Sequence, residues 1–417
     1  MRTSAIALLI LAGTASIAAA QGQPPAVAAE TTATAIPGVI AAGTKIEVIK
    51  SGFSGTEGPI GMPDGSLIFT ETQANRITRI DANNQTSTFL ENTNGSTGLA
   101  FDAKGRLISV QTTPGKTLIG VLYPKGQEAT LSDNYDGKPF GRPNDLVVDK
   151  KGGVYFSEPG PNATPGQPAP TPPLSPAVYY VPAGGKAIRI AEGIERPNGI
   201  QLSPDENTLY VNNTNGEYVL AFDVKPDGTV GNRRNFAKYP SVATPAAGGF
   251  NSGADGLAID NAGRLYVVST GGIHVFSPKG DLLGTIPVSL APQNIAFAGT
   301  GKNTLYIVGR GSAFKVRLLA ERYLARSAFA GPESHMPIFE YACKSCGKEF
   351  EALVLKTTPE PSCPACKSVD LEKLISTPAI KSESTHGLAM KAAKARDKKA
   401  GSENARAQRE YELHHND

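Results

Sequence analysis

Six copies of one short pattern recur along the chain, and this constrains the fold more than any other feature. Each copy is a polar residue, an apolar strand, a turn bearing Gly or Asp, and a second strand. The copies open at Glu57 (EGPIGMPDGSLIFTE), Thr97 (TGLAFDAKGRLISVQ), Asn144 (NDLVVDKKGGVYFSE), Asn198 (NGIQLSPDENTLYVNN), Asp255 (DGLAIDNAGRLYVVST) and Gln293, which NIAFAGTGKNTLYIVG follows. Their starts are 40, 47, 54, 57 and 38 residues apart. Within a copy, apolar and polar residues alternate with period two, and turns such as Pro63-Asp64-Gly65 and Asp205-Glu206-Asn207 separate the strands. Further apolar stretches at 76–81, 177–183 and 272–278 supply enough strands for a four-stranded blade. The expected fold is all-β, a six-bladed β-propeller over residues 44–320. Evenly spaced short strands also suit a sandwich or jelly roll, but six copies in register favour the propeller. The stretch 159–176 (PGPNATPGQPAPTPPLSP) interrupts the third copy, and its prolines cannot serve a central strand, so it reads as an insertion loop.

A chain of 417 residues exceeds one ordinary core, so more than one unit is expected. Residues 1–20 have one Arg, an apolar run and Ala18-Ala19-Ala20 before Gln21, the pattern of a signal peptide for a periplasmic or secreted protein. Gly13, Thr14 and Ser16 interrupt the run, which is too short for a membrane anchor, and no Cys follows for a lipid anchor. Residues 21–43 read as a linker. A net charge of +3 gives no reason to expect nucleic acid or an anionic membrane, and the expected partner is a small molecule. The stretch 21–330 holds no Cys, which excludes a disulfide scaffold there.

In a propeller the innermost strands line a central channel, so residues at one position of each repeat face one another around the axis. The six openers would therefore converge at one mouth. Glu57, Asp255, Asn144 and Asn198 offer only oxygen donors with total charge near −2, which suits a hard divalent cation such as Ca²⁺; zinc would want imidazole or thiolate. Four protein ligands leave room for water and substrate. The other reading is a wet channel in which the openers merely hydrogen-bond. No GxSxG elbow occurs, and His274, the one histidine between residues 21 and 330, sits in a strand pattern that predicts a packed role, so serine nucleophile chemistry has no support.

The segments TEGP (56–59), GRPNDL (141–146), RPNGI (196–200) and GADGLAID (253–260) resemble signature stretches of the gluconolactonase and senescence-marker-protein (regucalcin) family, over residues 44–319. The resemblance implies a six-bladed propeller in which Glu57, Asn144, Asn198 and Asp255 hold one divalent metal. Arg142 matches a substrate-contacting arginine of some members, and Asn144 stands with it as substrate-binding. The implied reaction is water attack on a sugar lactone with Asp255 as general base; Glu158 is the other carboxylate to consider, as a base or as a blade-edge group. Related propellers act on other esters and phosphotriesters, and a non-catalytic sugar- or protein-binding propeller is the reading from a different class.

Residues 336–378 carry C-x2-C-x16-C-x2-C, with Cys343, Cys346, Cys363 and Cys366. Two such knuckles bring four thiolates to one tetrahedral Zn²⁺, and the expectation is a structural zinc ribbon rather than two disulfides. MPIFEYAC, CGKEFE and EKLIS resemble the FmdB-type regulatory zinc ribbons, small proteins that begin at the equivalent of Met336. Residues 321–335 read as a linker, and residues 379–417 as a charged tail, helical or disordered. A ribbon of cytoplasmic type behind an export signal is a conflict, because exported thiolates risk oxidation. We read it as a join of two genes rather than a working fusion. Antibodies against each half should then detect separate, smaller products in the source cells; a single full-length band seen by both overturns the join.

Overall fold

The computed structural model describes residues 27–161, 174–246, 248–320, 338–353 and 362–373. The stretches expected to be a signal peptide (1–20), a linker (321–335) and a charged tail (379–417), with residues 162–173 of the insertion, lie outside them. The chain divides into two compact units at Gly331 and Pro332.

The described residues of the first unit form six antiparallel blades, five of them four-stranded meanders in chain order, and one small hairpin, Asn134–Tyr135 with Lys138–Pro139. The blades are Thr56–Gly61 to Thr86–Glu91, Ser96–Phe101 to Ala129–Ser132, Leu146–Val148 to Ile188–Glu192, Pro197–Leu202 to Val230–Lys238, and Leu257–Ile259 to Leu282–Ile286. The sixth, Asn294–Ala298, Thr304–Gly309 and Ser312–Arg317, takes its outer strand from Lys45–Ser51, which pairs Glu47 with Lys315 and Val48 with Phe314. The two ends of the unit are thereby hydrogen-bonded together. The described residues contain no helix, so none is available to cross a membrane.

The core is divided into six apolar layers, one between each pair of neighbouring blades. In the fifth blade, Leu265 and Val267 pack towards the fourth while Tyr266 and Val268 pack towards the sixth. Successive strand residues face opposite sides, and both sides are covered by a neighbour. That is why the second strands, such as LYVVS and VYFSE, are buried along their whole length instead of alternating with polar residues as the sequence suggested. Outer strands such as Lys45–Ser51 keep an exposed face.

The linker expected at 21–43 needs correction from Thr31 onward. Thr31–Thr32 adds a further strand beside Lys45 and Ile46, and Ala33, Ile36, Val39 and Ile40 are buried in the layer between the fifth and sixth blades. The stretch AIPGVI shows no strand period, yet it covers apolar surface that a single outer strand leaves open.

Around the axis the innermost strands come very close. The residue after each opener is Gly58, Gly98, Asp145, Gly199, Gly256 and Asn294. A Cβ on Gly199 would sit 2.1 Å from the Asp255 carbonyl oxygen, and one on Gly256 would sit 2.0 Å from Asn294 Oδ1. Gly98 and Gly256 therefore make room for the Asp145 and Asn294 side chains of the third and sixth blades, and Gly58 and Gly199 for the backbone of the next blade. Gly199→Ala should destabilise the propeller by about 1–3 kcal/mol, since backbone stands in the way. Gly231→Ala, whose nearest neighbour is the end of Lys225 at 3.4 Å, should change stability by less than about 0.5 kcal/mol. Urea unfolding of both variants checks this, and equal effects would refute the close-packed throat.

In the second unit, Ile338–Cys343 pairs antiparallel with Glu349–Leu353 and with Leu371–Lys373. Two knuckles connect them. In each, a backbone amide returns to the first cysteine's carbonyl: Gly347 to Cys343 at 2.7 Å and Lys367 to Cys363 at 2.9 Å.

Candidate active site at the channel mouth

Each opener stands within two residues of the start of its innermost strand, so the repeat places all six at one end of the channel. They are held differently. The Thr97 hydroxyl donates to the Asn144 carbonyl at 2.6 Å and its own carbonyl accepts from the Thr70 hydroxyl, so it knits the first three blades together. Gln293 donates from Nε2 to Glu57 Oε1 at 3.2 Å and accepts the Arg310 amide at 2.8 Å, which fixes Glu57 from the neighbouring blade. The Asn198 amide donates to Thr214 Oγ1 at 3.3 Å, leaving its oxygen free to point elsewhere. The Asp255 backbone carbonyl accepts from Asn212 at 2.6 Å.

Two oxygens stand out. Asn198 Oδ1 and Asp255 Oδ1 are buried and have no hydrogen-bond partner. A buried acceptor without a partner costs about 1–3 kcal/mol, so a fold that keeps two at one mouth has a use for them. The carboxylates nearby point the same way. Burial, and then the charge of Asp145, pushes Glu57 up to about 7, eased by the Asn294 amide and by Arg142. Asp255 is raised well above the usual range by burial and by the charges of Glu57 and Asp145. Burial raises Asp145 to about 6, although the Leu146 and Ile200 amides and the Asn294 side chain hydrogen-bond it. Three carboxyls that resist ionising together, one of them with an unpartnered oxygen, beside the unpartnered Asn198 Oδ1, suit a divalent cation. An all-oxygen set suits a hard one.

Asp145 and Asn294 were not among the residues singled out from the sequence. The signal was there, as the two departures from glycine in the column after the openers. Below the mouth lies a cavity of about 120 Å³ whose lining includes Asp145 and Asn294 but none of Glu57, Asn144, Asn198 and Asp255. These two side chains therefore separate the mouth from the channel beneath.

Arg142 is half-buried, and its guanidinium lies close enough to ease both Glu57 and Asp255. Glu158 is fully buried and accepts the Gly141 and Arg142 amides at 3.1 and 2.8 Å. It anchors the loop that carries Arg142 and Asn144, the blade-edge role, and its own oxygens are occupied in doing so. His274 is buried between Thr285 Oγ1 at 2.9 Å and the Thr270 carbonyl at 3.1 Å, and burial lowers its pKa, as a packed neutral imidazole requires.

In the second unit the four cysteine sulfurs lie within 4.8 Å of one another, with Cys343 to Cys366 at 3.5 Å and Cys346 to Cys363 at 3.6 Å. Four sulfurs about 2.3 Å from a central zinc stand about 3.8 Å apart, so this set fits the ion. The Cys366 backbone amide holds Cys363 down at about 6, which favours the thiolate.

The fold is a closed six-bladed propeller whose mouth gathers carboxylates and carboxamides, a donor set that suits a hard cation. Comparison narrows the class. The model of the SMP-30/gluconolactonase/LRE-like region matches residues 55–310, and the chain belongs to that family. It is similar to a gluconolactonase of Zymomonas mobilis, 30% identical over 300 residues that span 66% of this chain and 81% of the relative. A lactonohydrolase of Aspergillus oryzae is 24% identical over 220 residues, 46% of this chain and 48% of its own. Among solved structures, a gluconolactonase of Xanthomonas campestris superposes with a TM-score of 0.59 at 28% identity, covering 71% of this chain and 98% of that one. Residues 336–375 match the zinc ribbon domain family.

The raised pKa of Glu57 has a consequence for the metal-free protein. A group that loses its proton near 4.5 when unfolded and near 7 when folded makes the folded state bind the extra proton between those values. Its contribution is fully present below about 4.5 and is lost as pH rises towards 7. With chelator present, stability should fall by on the order of 3 kcal/mol across that window, and Glu57→Gln should flatten the fall. Denaturant unfolding at intervals from pH 4.5 to 7.5 measures it; an unchanged slope in the variant refutes the assignment.

Proposed function

We propose that the propeller is a metal-dependent hydrolase of sugar lactones. The pair of unpartnered buried oxygens, Asn198 Oδ1 and Asp255 Oδ1, carries the reading. Gluconolactonase relatives support the substrate class. Glu57, Asn144, Asn198 and Asp255 would hold the cation, Ca²⁺ by the hardness of the donors. When bound, the cation polarises the lactone carbonyl and offsets the oxyanion charge. Arg142 and the Asn144 side chain orient the lactone by its carbonyl and hydroxyls. Asp255 keeps one carboxylate oxygen for the cation and takes the proton of the attacking water on the other. The water oxygen bonds to the carbonyl carbon, the ring carbon–oxygen bond breaks, and the proton returns to the ring oxygen, which leaves as a hydroxyl of the open hydroxy acid. In the same reading the propeller is exported and the ribbon holds a structural Zn²⁺.

Gluconolactone turnover should be lost with chelator and restored by Ca²⁺. Asp255→Asn should lower kcat by about 10²–10⁴-fold, with Ca²⁺ binding followed separately by calorimetry. Full turnover in a Ca²⁺-loaded Asp255→Asn removes the base role. A wild type inactive on every lactone of a panel overturns the hydrolase reading and favours a binding propeller, and activity only on aryl esters or phosphotriesters would reassign the substrate.

A further inference from the structure

Asn198 can serve a cation through only one end of its carboxamide. Turned one way, the side chain presents Oδ1 to the mouth; turned the other, it presents an amide nitrogen whose N–H groups a cation repels. The two ends have almost the same shape, so packing does not choose between them. A neighbouring hydrogen bond has to.

That neighbour is Thr214, the residue that follows the second strand of the fourth blade, Thr208–Asn213. A hydroxyl carries one proton. Thr214 Oγ1 donates its proton to the Ala254 carbonyl at 2.7 Å. Ala254 is fully buried, so turning the proton elsewhere would take a donor from a carbonyl that water does not reach. With the proton committed, Oγ1 can only accept, and it accepts from Asn198 Nδ2 at 3.3 Å. The nitrogen end of Asn198 is thereby drawn to Thr214. Its Oδ1, buried and without a hydrogen-bond partner, is left for the mouth.

The backbone of Thr214 is pinned independently of its side chain. Its amide donates to the Arg196 carbonyl at 3.0 Å, two residues before Asn198. Its carbonyl accepts the Ser252 amide at 2.9 Å and the Ser252 hydroxyl at 3.1 Å, three residues before Asp255. One residue is thus bonded to both loops that carry Asn198 and Asp255. The column after the second strands reads Thr72, Thr112, Pro159, Thr214, Thr270 and Arg310. Of the two carboxamide ligands, Asn198 has a hydroxyl at this level of its own blade, whereas Asn144 has Pro159. In the second blade the Thr112 hydroxyl donates to the Gly95 carbonyl at 2.8 Å, a like bond in a blade whose opener, Thr97, is not a ligand.

We propose that Thr214 is a positioning residue that turns the Asn198 carboxamide so that its oxygen, and not its nitrogen, faces the cation. This rests on the reading of the mouth as a divalent-cation site. Thr214 acts through Asn198.

Thr214→Val removes the hydroxyl at nearly constant shape and keeps the backbone bonds. Calorimetric titration of the full chain with Ca²⁺ should show Kd raised about ten- to hundredfold in this variant. Thr214→Ser should recover most of the loss, and Thr112→Val should leave Kd unchanged. In Asn198→Asp both ends of the side chain are oxygen and its orientation ceases to matter, so adding Thr214→Val there should change Kd far less than in the parent. An unchanged Kd in Thr214→Val overturns the proposal, as does an equal loss in Thr112→Val or in the Asn198→Asp background. If the wild type binds no Ca²⁺, the cation reading falls, and the orientation is read from nuclear Overhauser contacts between the Asn198 amide protons and the Thr214 side chain. Their presence in the wild type supports the orienting bond, and their absence overturns it.

Discussion

Pairing of Lys45–Ser51 with Ser312–Arg317 turns six blades into a ring, and the rest of the first unit depends on it. Each blade is apolar on both faces, so it needs a neighbour on either side, and a linear row would leave two large faces open. Closure supplies the sixth layer, where Leu67, Phe69 and Ile80 of the first blade meet Tyr306, Val308 and Ala313 of the last. Bringing ends this far apart together costs loop entropy that rises only slowly with length, while an apolar layer contributes in proportion to its buried area. The same closure sets Gln293 beside Glu57, a hydrogen bond between residues 236 apart in the chain. A site residue is thus fixed by the interaction that fixes the fold.

The ring also explains how the mouth tolerates so much charge. Carboxyls as close as Glu57, Asp145 and Asp255 would move apart on a flexible surface. Here each hangs from an innermost strand whose neighbours leave no room to shift, with glycines in four blades and Asp145 and Asn294 in the other two. Rigid layers hold the electrostatic cost in place, and a cation there would offset it.

Much of this was legible in the sequence because the repeat converts spacing into geometry. A polar opener before an apolar strand is conspicuous, and six in register place Glu57, Asn144, Asn198 and Asp255 at one end of one channel without reference to any relative. What escaped notice was subtler. Asp145 and Asn294 look unremarkable singly and gain meaning only beside four glycines in the same column. Arg196 stands in the signature stretch RPNGI as Arg142 stands in GRPNDL, but only Arg142 was given a role. The segment from Thr31 to Ile40 has no strand period, since its burial comes from plugging a gap in the fifth and sixth blades rather than from lying in a sheet. Second strands covered on both faces cannot show the alternation that betrays a half-buried strand. Which atoms lack partners, Asn198 Oδ1 and Asp255 Oδ1, is a property of packing that no residue pattern encodes.

The two units differ in the kind of metal their donors suit. The mouth offers carboxylate and carboxamide oxygens spread over four blades, a set whose spacing is fixed by the ring and can stay folded with protons in place of a cation. The ribbon offers four sulfurs gathered within 4.8 Å by two short knuckles on a three-stranded sheet. So small a sheet buries little, and zinc-bound thiolates would supply cohesion the core lacks. Soft sulfur does not compete for a hard cation, nor do oxygens take zinc from four thiolates. Stripping the propeller's metal should therefore cost charge balance at a preformed mouth, whereas stripping the ribbon's should cost the fold itself.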